Sequence, residues 1–112
     1  MATAFAEEAA RIRQTGHLSD RDIARATGAG VSTVGAWIRG TRSPRGEHAE
    51  RLAELSAIVD RLANVIEPGY IPVWLRRPVP ALGDEKPIDL LARGEWRPVA
   101  RVISGLESPS FS

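Results

Sequence analysis

The stretch Ser19-Asp20-Arg21-Asp22-Ile23-Ala24-Arg25-Ala26-Thr27-Gly28, continued by Ala29-Gly30-Val31-Ser32-Thr33-Val34-Gly35-Ala36-Trp37-Ile38-Arg39-Gly40, decides the fold. Ser19 is a favoured helix cap, and Asp20 and Asp22 follow where the helix dipole welcomes negative charge. Ala24 is small where two helices must cross closely. Gly28 falls where a tight turn requires a left-handed backbone. Ser32 is expected to cap the next helix, with Val31, Val34, Trp37 and Ile38 packing inward. Gly40 ends that helix, and Pro44 prevents its resumption. These are the parts of a helix-turn-helix in order.

Outward from this stretch, helical spacing dominates and strand signals are poor. Phe5, Ala9 and Ile12 predict a preceding helix that ends near Gly16. From Gly46 to Ile66, Leu52, Leu55, Val59, Leu62 and Ile66 recur at intervals of three and four, predicting the longest helix. Leu52, Leu55, Val59 and Leu62 are dimerisation candidates; intramolecular packing is the other use of the same stripe. Beyond Pro68 and Gly69, Pro72, Pro78, Pro80, Pro87 and Pro98 cut the chain into short helices. The expected class is all-α, divided into a helix-turn-helix domain (1–46), a connecting helix (47–66) and a C-terminal domain with its tail (67–112).

The chain has 112 residues, 43% of them apolar, and no cysteine. Neither a disulfide framework nor a cysteine-based zinc site is available to so small a core. No apolar run approaches a membrane span, and Met1 to Ala10 lacks the pattern of a signal peptide, so a cytoplasmic location is expected. The net charge of +1 hides an uneven division. Residues 1–46 carry seven Arg against four acids, residues 47–67 two against five, and residues 68–112 six bases against five. Arg39, Arg42 and Arg45 cluster with no acid between Thr33 and Gly46, a basic patch of the kind that meets nucleic acid.

Catalysis finds little support. His17 and His48 are the only histidines, each beside a helix end, with no phosphate loop and no metal-ligand spacing. Asp84, Glu85 and Asp89 sit at a loop and a helix start, where acids stabilise the dipole. The expectation is a non-enzyme with no cofactor and no metal.

The spacing from Ile23 through Gly28, Val34 and Trp37 to Gly40 resembles the DNA-binding domain of the Cro/repressor (Xre) class. That resemblance implies a second helix lying in the major groove of operator DNA. Its exposed positions would be Ser32, Thr33, Gly35, Ala36 and Arg39. Ser and Thr suit either base pair, Ala can touch a thymine methyl, and Arg39 alone could make a bidentate guanine contact. Thr41, Arg42, Ser43 and Arg45 are the phosphate-holding candidates. Trp37 is read as core.

Further on, Trp74-Leu75, Pro78, Ala81-Leu82-Gly83, Pro87 and Leu90-Leu91 form a pattern similar to the C-terminal domain of the Xre/MbcA/ParS antitoxins of type II toxin–antitoxin systems. The resemblance implies a RES-domain toxin partner that consumes NAD+, bound through residues 67–112, and repression of the chain's own operon. Two departures stand out. Asp84 occupies a position where a second Gly is usual, and the corner Gly94-Glu95-Trp96 is bulkier than the common version. Toxin-binding candidates are Trp74, Leu82, Trp96, Val99, Val102, Ile103 and Leu106, then the tail Glu107, Ser108, Ser110, Phe111 and Ser112. The expected mechanism has this acidic, hydroxyl-bearing tail covering the NAD+ pocket while the last helix anchors it, with Trp96 and Phe111 as hot spots. The alternative is a stand-alone helix-turn-helix transcriptional repressor whose C-terminal module dimerises or senses a small molecule.

Overall fold

The computed structural model describes residues 4–108. Along the chain run α1 (Ala4–Gly16), α2 (Asp20–Thr27), α3 (Val31–Arg39), α4 (Glu47–Ala63), α5 (Ile71–Arg76), α6 (Pro87–Ala92) and α7 (Trp96–Glu107). Single 3-10 turns at Pro68–Tyr70 and Pro80–Leu82 flank α5. The described residues form no strand, only an isolated bridge between Val79 and Glu85. The fold is all-α.

Local chemistry sets the boundaries. Ser19 accepts the Asp22 amide while the Asp22 carboxylate accepts the Ser19 amide, a reciprocal capping box that fixes the start of α2. Gly28 and Gly40 close α2 and α3 at φ of 77° and 78°, where a side chain would be strained. Pro87 occupies the first turn of α6, where no amide is required. Ser32 does not cap α3: the cap is Gly30, without a side-chain bond, and Ser32 lies within the first turn.

The packing is centred on α4. Leu52, Leu55, Val59 and Leu62 are at most 1% exposed within the single chain, and Ile58 joins them. This corrects the expected dimer seam. The stripe is consumed by α1 and α2 on one side and α6 and α7 on the other, so no part of it remains for a second copy. One continuous core runs from Ala9 and Ile12 through Trp37 and α4 to Leu91, Val99 and Ile103. The N-terminal and C-terminal segments therefore share their interior.

Arginines brace this arrangement at long sequence separation. Arg11 of α1 donates to Asp60 of α4 at 2.8 and 2.9 Å and to Ser56 at 2.8 Å. Arg25 of α2 forks onto Asp89 of α6 at 2.9 and 3.0 Å. Arg76 of α5 reaches both oxygens of Asp22 at 2.8 Å, so the carboxylate that caps α2 also ties it to the C-terminal segment. Burial pushes the Asp22 carboxyl up, but Arg76 and Ser19 outweigh it and hold the group below the usual carboxylate range.

Candidate functional site

The second helix of the motif is too short to have more than one outward face. At about 100° per residue, Val31, Gly35, Arg39 and Ser32 fall within one quadrant, and Val34 and Trp37 point away from it into the core. The structure agrees for Ser32 and Arg39, which are exposed, and for Thr33, which is half-exposed. It corrects three expectations, for Ala36, Val31 and Gly35. Ala36 is only 6% exposed, because it lies on the flank of α3 that carries the Schellman-like turn; its carbonyl accepts from the amides of Thr41 and Arg42. Val31, expected in the core, is 46% exposed.

Gly35 is buried without being packed in the core. A Cβ there would stand 3.1 Å from Nη1 of Arg39, so the guanidinium lies along the helix over the glycine. The missing side chain flattens the middle of the outward face. This explains a residue that helix propensity disfavours by about 1 kcal/mol.

After α3 the chain forms a hollow of about 490 Å³ lined by Thr33, Trp37, Arg42, Ser43, Pro44, Arg45 and His48. Thr41, Arg42, Ser43 and Arg45 are exposed around it, and Pro44 is buried as its floor. His48, which sequence reasoning left aside, enters through a tilted ring contact with Trp37 at 5.8 Å. Local spacing gave no signal for it. Among the described residues no acid pairs with Arg39, Arg42 or Arg45, whereas Arg11, Arg25, Arg61, Arg76 and Arg93 are all engaged. Three arginines without an ion-pair partner suit a polyanion, although the Asp20 carboxylate lies beside Gly35 at the edge of the α3 face.

The C-terminal candidates divide differently. Val99 and Ile103 are fully buried against α4, and Trp74 and Leu82 are almost so, which corrects their assignment as contact residues: they hold the segment's shape. Trp96 and Val102 are half-buried, and Leu106 is 43% exposed. Trp96 carries the Arg97 guanidinium over its ring at 4.7 Å and borders an apolar groove of about 250 Å³ with Ala53, Ala57 and Ala100. Glu107 is not a free anion. Arg61 grips it at 2.6 and 3.0 Å and also takes the Ser104 hydroxyl, which holds the Glu107 carboxyl below its ordinary range. Ser108 is exposed, and Ser110, Phe111 and Ser112 lie outside the described residues.

The loop before α6 accounts for the departure at Asp84. Gly83 has φ of 67° and Asp84 follows at 63°, two successive left-handed residues of which only the first is glycine. Asp tolerates that region better than most residues, at a cost that glycine escapes.

Known proteins were compared with this arrangement. A helix-turn-helix family model matches residues 10–55. The mycobacterial cidal antitoxin MbcA of Mycobacterium tuberculosis (strain ATCC 25618 / H37Rv) is 32% identical over 79 residues, 70% of this chain and 70% of that protein. MbcA of Mycobacterium bovis matches to the same extent. The Prs ADP-ribosylating antitoxin of Sphingobium sp. (strain YBL2) is 34% identical over 77 residues, covering 59% of this chain and 48% of that protein. A chain in the crystal structure of the M. tuberculosis MbcT–MbcA toxin–antitoxin complex superposes with a TM-score of 0.86 at 25% identity, covering 98% of this chain and 99% of that one. Fold and sequence together define an all-helical helix-turn-helix protein with a C-terminal helical extension. The chain belongs to the MbcA antitoxin family.

Proposed function

We propose that this chain is an antitoxin that binds and inhibits a RES-domain, NAD+-degrading toxin encoded beside it, and that it represses their shared operon through α2 and α3. The observation that carries the reading is the extent of the likeness to MbcA, which spans the helix-turn-helix and the C-terminal segment alike. The unpaired arginines around α3 support operator binding; Ser32, Thr33, Arg39, Thr41, Arg42 and Arg45 are its residues. Two copies on a two-fold operator belong to the same reading, through a contact other than the Leu52–Leu62 stripe. Among the described residues no helix is long and apolar enough to cross a membrane, and we place the complex in the cytoplasm.

Toxin contact is assigned to the outer side of α7, with Trp96, Val102 and Leu106 as apolar anchors and the tail beyond Glu107 as the part that covers the NAD+ pocket. The Arg61–Glu107 clamp fixes where that tail departs from the body. The chain itself acts by occlusion and is not an enzyme in this reading.

Co-expression with the product of the neighbouring gene tests this, with NAD+ consumption as the readout. The reading expects a stable complex that suppresses NAD+ loss, and weaker suppression when residues 109–112 are deleted, a truncation that spares the clamp. Unchanged suppression by the truncated chain would eliminate the tail mechanism. No complex and no protection, with duplex binding retained, would replace the antitoxin reading with a stand-alone repressor.

A further inference from the structure

We propose that Val31 reads the 5-methyl group of a thymine in the major groove, taking the role that Ala36 cannot fill. The inference rests on the DNA-binding reading and names the base that its outward face prefers. Val31 is an apolar, β-branched side chain at the first position of α3, nearly half exposed. A helix start gains nothing from valine there, since its propensity is poor and its methyls face water. Its surroundings identify the occupant. Ser32 and Arg39 share its face, and Gly35 leaves the middle of that face flat beneath the Arg39 guanidinium, with the Asp20 carboxylate at its edge. On the operator-binding reading this face of α3 meets the major groove, whose one apolar group is the thymine methyl.

The test uses the full chain and duplexes it selects from a random-sequence pool. Each thymine of the selected site is replaced singly by deoxyuridine, which lacks only the methyl. We expect one thymine per half-site at which this replacement weakens wild-type binding about 3- to 10-fold. Val31→Ser, which removes both methyls, should be insensitive at that position while keeping the wild-type melting temperature. Val31→Thr, which keeps one methyl, should retain part of the sensitivity. If selected duplexes bind in a salt-dependent way but deoxyuridine acts equally on wild type and Val31→Ser, the thymine assignment is overturned and the DNA-binding reading stands. If the pool yields no enriched sequence and no salt-dependent binding, both fall together.

Discussion

The arginines of α3 and its following loop do the opposite work from those that brace the fold. In α3 and the loop after it, Arg39, Arg42 and Arg45 have no ion-pair partner among the described residues, whereas the braces Arg11, Arg25, Arg61, Arg76 and Arg93 are paired with carboxylates. Paired arginines lend the fold its long-range braces and present little net charge outward. Unpaired ones contribute little to stability and concentrate positive potential where a polyanion can use it. The same residue type thus serves as mortar in one region and as a binding surface in the other, and only the tertiary placement of the acids tells them apart.

The strongest way to break this division is through the core that both regions share. Leu55→Asp buries an unpaired charge at a site with no solvent access, and should cost about 4 kcal/mol or more. A thermal melt followed by circular dichroism should show loss of the whole fold. A well-folded monomer would instead restore α4 as a dimer seam.

The next effect belongs to the braces. Arg76→Ala strips Asp22 of its cation while leaving the carboxylate nearly buried, at an expected cost of about 1–2 kcal/mol at neutral pH. Because the folded carboxyl is held below its ordinary range, the wild type has this contribution in full above about pH 4 and loses it as pH falls further. Without Arg76, burial favours the protonated acid. The difference in melting temperature between the two proteins should therefore narrow below about pH 4; a constant difference would show that the pair is not what couples Asp22 to folding.

Binding should respond where stability does not. Arg42→Ala with Arg45→Ala should leave the folding stability within about 0.5 kcal/mol of wild type, yet lower the magnitude of the slope of log affinity against log salt by about two. An unchanged slope would remove both residues from the phosphate contact. The smallest change is expected at the left-handed corner, where Asp84→Gly should stabilise the fold by about 0.5–1 kcal/mol by relieving a strained backbone. Destabilisation would mean that the Asp side chain contributes more than its backbone costs.

Much of this organisation was legible before any coordinates. Ser19, Gly28 and Gly40 carry local backbone chemistry, and they delimit α2 and α3 as read. The prolines and Gly94 likewise mark the short helices of the C-terminal segment. The stripe on α4 was legible as apolar, but a period of three and four residues is identical whether the cover comes from the same chain or a second copy. Val31 was misplaced for a related reason: one apolar residue at a helix start fits the inward pattern, and only the folded chain shows it exposed. The pairing of Arg76 with Asp22 and Arg25 with Asp89 spans more than fifty residues in each case, beyond the reach of local spacing. That is why the basic patch could be noticed in the sequence but not distinguished from the structural arginines.

The separation of binding surface from structural braces is tested most directly by the triple variant Arg39→Ala, Arg42→Ala, Arg45→Ala, assayed in parallel for duplex binding and for protection of NAD+ against the neighbouring toxin. The account predicts that duplex affinity at physiological salt falls at least about 100-fold while protection of NAD+ and the melting temperature stay at wild-type values. Undiminished duplex binding, or a matching loss of NAD+ protection, would contradict it.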